Sequence, residues 1–495
     1  MPPGLLPSTH NENPNLMTTA VFTQGSTLKH ILTMTLANAV GLVTLFFVDL
    51  VDMYFLSLLG EKQLAAAVGF SGALLFFLTS VCIGLSIALG ANVARALGQD
   101  DRAKAKAYVT NTLVYSAILI CIITLPCMIW QRELLELLGA SGATLEFAMQ
   151  YTVILLPTTV VIGIAMGLAS ALRAVGDAKR SMYAILGGGL ANAVLDPILI
   201  FGFDMGIEGA AWASVAARFA ILFVAGFYVI KKHKLLHTFD VQSWLGDARA
   251  VFAVAGPAIM TNLATPIGGS YVMKSMAEFG DSAVAGAAII GRIVPVAFGA
   301  LFALSGAMGP IIGQNMGAEQ FDRVRSTVRN AVMFVLVYVA FIWMVLFLSR
   351  HQIVNAFGAS DEAAMLIVEY CNWIAVGFVF NGLLFIANAT FNNIKAAHLA
   401  TVSSFSRATL GTIPFVYFFA LWWGPVGVLA GEIAGAAVFG TLALVVAFYR
   451  INKLEQKHSP QTKQDNESAI CQWPYGSEKS ALGQEISESH GVNKK

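Results

Sequence analysis

Apolar stretches recur along the whole chain, each closed by a short polar or basic connection. About 20 consecutive apolar residues cross a bilayer as a helix. The pattern predicts twelve such spans, near 28–58, 63–97, 103–130, 143–172, 181–203, 207–230, 249–279, 282–316, 328–349, 362–391, 397–423 and 425–449. Several are longer than a bilayer needs, so tilted helices that protrude from it are expected. The predicted class is an all-α polytopic membrane protein.

The pattern also repeats. GLSIALGANVARALGQDDRAKA (84–105) aligns without gaps on ALSGAMGPIIGQNMGAEQFDRV (303–324), setting Gly90 on Gly309 and Gly98 on Gly317. LGEKQLAAAVGFSG from Leu59 resembles FGDSAVAGAAIIG from Phe279. LDPILIFGF (195–203) falls on TIPFVYFFA (412–420) with Pro197 on Pro414, and GIEGAAWAS (206–214) on GPVGVLAGE (424–432). Four matches in one order argue for a duplication over chance likeness among Gly/Ala-rich helices. Six spans per copy is an even number, so both copies insert the same way up. Two six-helix lobes related by a pseudo-two-fold along the membrane normal, with a cavity between them, are expected. The division runs as an N-terminal tail (1–27), an N-lobe (28–232), an inter-lobe connection (233–248), a C-lobe (249–451) and a polar, disordered tail (452–495). The connection carries Leu235, Phe239, Val241, Trp244 and Leu245 among charges, which suits a segment lying along the membrane surface.

Composition strengthens the membrane reading. Of 495 residues 57% are hydrophobic and 12% charged, against about 25% charged in soluble domains. A net charge of +1 points to no nucleic-acid partner. Basic residues gather in alternate connections: Arg102, Lys104 and Lys106; Arg173, Lys179 and Arg180; Lys231, Lys232 and Lys234; Arg323 and Arg325; Lys395. The positive-inside bias makes these connections, and with them both termini, cytoplasmic in a multi-pass protein of the cell inner membrane. The first 26 residues lack a basic region ahead of an apolar core, so they read as a tail and not a cleaved signal. Cys82, Cys121, Cys127, Cys371 and Cys471 have neither metal nor disulfide spacing and read as small apolar residues. LGGGLAN (186–192) lies inside an apolar span with no Lys-Ser/Thr after it, so it is no phosphate loop; it suits close helix packing. No nucleophile, nucleotide or metal constellation is visible, and the chain is not read as an enzyme.

Acids inside spans are costly, and therefore functional or paired. The first span ends in FFVDLVDMYFLSLLG (46–60), with Asp49 and Asp52 one helical turn apart on one face. The fifth contains NAVLD, with Asn192 and Asp196 four apart on one face. Pro197 follows and frees a backbone carbonyl, loosening the helix beside the acid, which is where transporters form ion sites. Two acids brought together away from water titrate as a pair. Structural alternatives stand beside each. Asp52 and Asp196 suit ion pairs with Arg218, Asp49 a solvated vestibule, Asn192 a bond to a neighbouring helix, and Glu432 either a protonatable group or a partner of Arg407.

The ordered set of VDMYFLSLLG, GANVARALGQDDRAKAKAYV, LRAVGDAKR, NAVLDPILIFGF and IIGQNMGAEQFDRVR, over about residues 28–450, resembles the multidrug and toxic compound extrusion (MATE) family, in its DinF-like branch. The resemblance implies a monomeric secondary antiporter with no prosthetic cofactor. It would export organic, often cationic and amphipathic compounds in exchange for protons, with sodium as the alternative coupling ion, among membrane lipids. It implies an ion site at Asp52, Asn192 and Asp196, with Ser214 near a position where relatives place a hydroxyl. The rival arrangement, acids in spans seven and ten, finds only Glu278 at the outer end of span seven and no acid from Tyr370 to Phe391. One departure stands out: relatives often carry a proline in the first half of span one, where this chain has Asn38 and Gly41. Two rival functions remain open, a flippase for lipid-linked saccharides and a membrane scaffold without a transport cycle.

Overall fold

The computed structural model describes residues 20–59, 62–359 and 361–458; several side chains between 49 and 65, that of Asp49 among them, lie outside that description. Span one is α1 (Thr27–Leu58), span two α2 (Lys62–Gly98) and span three α3 (Arg102–Ile129), followed by the short α4 (Gln131–Leu137). Span four is split into α5 (Gly142–Leu155) and α6 (Thr159–Ala174). Spans five and six are α7 (Ala178–Pro197) and α8 (Gly206–Phe227). In the second half, α9 (Val241–Ala277) is span seven, α10 (Asp281–Ala297) with α11 (Gly299–Gly317) span eight, and α12 (Phe321–Phe357) span nine. Span ten is α13 (Asp361–Glu369) with α14 (Phe378–Asn393). Spans eleven and twelve are α15 (Ala397–Ser406) and the long α16 (Thr412–His458).

Nine helices among the described residues are long and apolar enough to cross a membrane, and eleven when each bent pair counts as one span. The twelfth comes from the stretch Ala397–His458, which turns at Trp423 and Gly424. Gly424 has φ 57° and ψ −140°, a conformation open to glycine and barred by a Cβ. Pro425 follows it. Spans four and eight bend by 53° and 46°. Pro157 and Pro295 stand at these breaks, each without an N–H to continue the ladder. Residues up to Val445 form one compact unit, and Val446–His458 are the closing turns of α16.

The repeat extends to backbone detail. Asp100 and Glu319, at equivalent places after α2 and α11, both take left-handed φ (60° and 54°). Gly176 and Lys395, after spans four and ten, do the same (85° and 58°). Each turn is closed by a matching bond: Asp101 N to Ala96 O at 3.0 Å and Gln320 N to Asn315 O at 2.9 Å. The two lobes cross where α2 meets α11, at the end of the bundle that carries the basic connections. A Cβ on Gly98 would lie 2.0 Å from Gln314 O, and one on Gly317 2.1 Å from Arg95 O, so both backbones touch and only glycine fits.

Two segments differ from the expected outline. The inter-lobe connection is helical from Val241, so its second half is the first turns of α9 rather than a separate surface element. Asp240 caps that helix by accepting from Ser243 N at 2.7 Å. Of the N-terminal tail, residues 1–19 lie outside the described residues, but Val21–Thr23 form a 3-10 turn with Phe22 buried. The polar tail beyond His458, with Cys471, also lies outside them, while 452–458 are helical.

Candidate ion-coupling site

The site is built where α1 and α7 lie side by side. The glycine run of α7 allows it: a Cβ on Gly188 would meet Ile221 of α8 at 2.4 Å, and one on Gly189 would meet Thr44 of α1 at 2.9 Å. With α7 wedged this closely between α8 and α1, the C-terminal half of α1 brings Asp52 to the last turn of α7.

Asp196 is fully buried and Asn192 nearly so. Pro197 ends the α-helical ladder, and the chain widens into a π turn over Ile198–Gly202, closed by Phe203 N to Ile198 O at 3.0 Å. Asn192 Nδ2 donates to Asp196 Oδ1 at 3.4 Å, one turn away on the same face. The carboxyl groups of Asp52 and Asp196 come within hydrogen-bonding reach of each other. Asp52 Oδ1 and Asp196 Oδ2 are nevertheless buried with no donor among the described residues. A buried carboxyl oxygen without a partner is rare in native proteins.

Two further polar groups complete the surroundings. Tyr151 of α5 lies beside Ser214 of α8 and is close to Asp52, Asp196 and Arg218. Arg218 serves the backbone: its Nη1 donates to Leu155 O and to Thr158 Oγ1, both at 2.7 Å, at the break of span four. Its hydrogen bonds therefore go to a broken helix rather than to either acid. Asp49 lies on the α1 helix, but its side chain is outside the described residues.

The C-lobe holds a counterpart of different character. Tyr370, which the repeat sets on Tyr151, lies beside Glu432, the mate of Ser214. Glu432 accepts from Arg407 Nη2 at 2.9 Å, so this acid already has its base. The helix is widened here too, over Arg407–Gly411. That turn precedes Pro414, whereas in the N-lobe the equivalent turn follows Pro197, so the two copies diverge here.

Span one runs as a continuous helix through the stretch that lacks a proline. Asn38 Nδ2 reaches Ala303 O of α11 at 3.4 Å, and Gly41 packs on Ile185 of α7. That stretch thus holds span one to both lobes. At the basic end, Asp177 joins Arg180, Lys232 and His233 at 2.7, 3.1 and 2.7 Å. Burial works against its charge, but hydrogen bonds from these three groups hold its carboxyl well below the usual carboxylate range.

Sequence reasoning brought forward Asp52, Asn192, Asp196 and Ser214, and the structure gathers all four. It passed over Tyr151, because a tyrosine in an apolar span reads as ordinary membrane aromatic. The signal was available: the register that pairs Gly98 with Gly317 also pairs Tyr151 with Tyr370.

A duplicated bundle of membrane-spanning helices with acids buried inside it is an architecture that suits a membrane transporter. The chain belongs to the MatE family, the multidrug and toxic compound extrusion transporters, whose family model matches residues 38–198 and 257–418, one copy in each repeat. It is 26% identical over 390 residues to a FAD transporter of Shewanella oneidensis (78% of this chain, 86% of that protein). It is 23% identical over 442 residues to the multidrug export protein MepA of Staphylococcus haemolyticus (88% and 96%). Among solved structures, the Vibrio cholerae MATE transporter VcmN in the bent form superposes with a TM-score of 0.81 at 24% identity, covering 86% of this chain and 97% of that one. An outward-facing multidrug resistance MATE transporter superposes at 0.83 and 22% identity, covering 88% and 99%. Members of the family need no prosthetic cofactor.

Proposed function

We propose that this transporter exports organic compounds by proton-driven antiport, with Asp52 and Asp196 as the coupling pair and Asn192 as its polar support. The observation that carries the reading is the meeting of two carboxyl groups that each keep one buried oxygen, Asp52 Oδ1 and Asp196 Oδ2, with no donor among the described residues. A single proton shared between them supplies that donor, and its release leaves two like charges in contact, which favours a different packing of α1 against α7. Proton occupancy and shape are thereby linked. The two lobes rock about the cavity between them, and the basic connections and both termini face the cytoplasm of an inner-membrane protein working as a monomer. Moving one charge down 100 mV supplies about 2.3 kcal/mol, enough for roughly a forty-fold gradient of a neutral cargo.

The cargo class draws on the relatives. One is a multidrug exporter and another carries FAD, so the decisive transport panel includes an organic cation and FAD. In proteoliposomes, efflux is expected to follow an imposed pH gradient, to stop with protonophore, and to fall at least tenfold in Asp52→Asn and Asp196→Asn. Wild-type rates in both variants would sink the site. Transport driven by a sodium gradient at fixed pH would replace protons by sodium at the same residues.

A further inference from the structure

The two lobes are fastened to each other at the basic end by bonds that the repeat duplicates. Arg95 of α2 donates to Asn393 O, in the last turn of span ten, at 2.8 Å. Gln314 of α11, its repeat mate, donates to Ala174 O, in the last turn of span four, at 2.8 Å. Each bond thus takes up a carbonyl that a helix end leaves free, and each crosses from one lobe to the other.

A second duplicated pair lies outside the first. Asn330 of α12 donates to Thr27 Oγ1 at 2.7 Å, at the first residue of α1. Its repeat mate, Asn111 of α3, donates to Ser243 Oγ at 3.3 Å and Asp247 Oδ2 at 2.9 Å, in the first turns of α9. Both asparagines sit on the third span of one lobe and hold the opening turn of the other lobe's first span. Basic residues at matching places reinforce them. Lys104 pairs with Asp247 at 2.7 Å. Arg323 donates to the carbonyls of Phe22, Gly25 and Gln24 at 2.7, 2.9 and 3.1 Å. Phe22 is buried in this strap, and its N–H donates to Gln314 Oε1 at 2.8 Å.

We infer that Asn111 and Asn330, with their partners Asp247 and Thr27, are positioning residues of the transport cycle. They form crossed latches that hold the basic side shut, so that opening to that side requires both to break. This rests on alternating access, and not on the identity of the coupling ion. The latches differ in strength of support. The one on α9 closes on a nearly buried carboxylate, while the one on α1 closes on a hydroxyl and on backbone carbonyls.

The test measures opening directly, without cargo or gradient. Spin labels are placed at the exposed Lys179 and Lys395, in the basic connections of opposite lobes, with the native cysteines replaced, and pulsed electron resonance reads their separation. Asn330→Ala should raise the long-distance population roughly fivefold, the factor for one net hydrogen bond. Asn111→Ala, which removes two bonds, one of them to a carboxylate, should raise it by more. Thr27→Ala also removes the 3.2 Å contact with Ser326 Oγ, so it should do at least as much as Asn330→Ala. The effect of the two combined should be less than their sum in a double-mutant cycle. Unchanged distances in folded variants would overturn the inference, and so would shifts for Thr27→Ala and Asn330→Ala that simply add. Wild-type efflux in Asp52→Asn and Asp196→Asn, with the latch shifts observed, would instead overturn the ion site alone.

Discussion

Arg407 donates to Glu432 Oε1 at 2.9 Å, so the C-lobe acid is matched by a base, while Asp52 and Asp196 face each other without one. The two lobes therefore differ in how the acids within their spans are balanced, and the acids do not fall on equivalent repeat positions, since Glu432 is the mate of Ser214. A matched pair contributes to holding spans eleven and twelve together, and an unmatched pair is the one proposed to take up the coupling ion.

Breaking the matched pair should cost stability and leave coupling intact. Both side chains are partly exposed (13% and 30%), so removing one partner is expected to cost about 1–3 kcal/mol, below the figure for a fully buried pair. Glu432→Gln and Arg407→Gln should lower the thermal midpoint in detergent while the dependence of efflux on the pH gradient persists. If Glu432→Gln abolishes pH-driven efflux at unchanged stability, the acid belongs to the coupling machinery.

Asn192 has a lesser role than the acids it accompanies. Its 3.4 Å bond to Asp196 is long, and a net hydrogen bond is worth about 1 kcal/mol. Asn192→Ala should slow pH-driven efflux by roughly fivefold, where Asp196→Asn abolishes it. Equal losses in the two variants would show that the amide itself carries the proton path.

Much of this arrangement was legible in the sequence because the membrane enforces simple rules. A span must be apolar and about 20 residues long, so most span boundaries could be read to within a few residues. The exceptions are α9, which begins early at Val241, α12, which runs from Phe321 to Phe357 beyond both ends of 328–349, and α16, which continues to His458. An acid in such a span stands out, which is why Asp52 and Asp196 were visible. Their meeting depends on Gly188 and Gly189 admitting α8 and α1 at close range, a three-dimensional fact with only a weak sequence trace. Arg218 was misleading for the same reason. Its charge suggested an acid as partner, but at the break of span four it takes the Leu155 carbonyl, which Thr158 N also reaches at 3.2 Å. Asn111 and Asn330 look like ordinary polar residues near helix ends until the repeat register pairs them.

Acid conditions should act on the basic end through Asp177. Its folded pKa lies below the unfolded value of about 3.9, so its contribution is complete above that value and is lost as the pH falls through the carboxylate range. Asp177→Asn should lower the thermal midpoint at pH 7, by an amount equivalent to about 1–3 kcal/mol for its charge-assisted bonds. The gap between variant and wild type should then narrow between about pH 5 and pH 2. Unfolding curves of the detergent-solubilised proteins across that range decide it; a gap that widens in acid would contradict the ion network.

Gly209 offers the sharpest link between packing and site. A Cβ there would lie 2.8–2.9 Å from the backbone of Leu199 and Ile200, inside the π turn that begins two residues after Asp196. Backbone cannot yield as a flexible side chain does, so Gly209→Ala must push that turn away from α8, and overpacking of this kind costs about 1–3 kcal/mol. Because the turn hangs on Pro197, the displacement reaches Asp196, and pH-driven efflux is expected to fall at least tenfold in a protein that still inserts and folds. Gly246 is the control: nothing lies within 4 Å of its added Cβ, and alanine in a helix there should stabilise slightly. Efflux at wild-type rate in Gly209→Ala would mean that the π turn tolerates movement, and that the place of Asp196 is set by α1 and Asn192 rather than by the contact with α8.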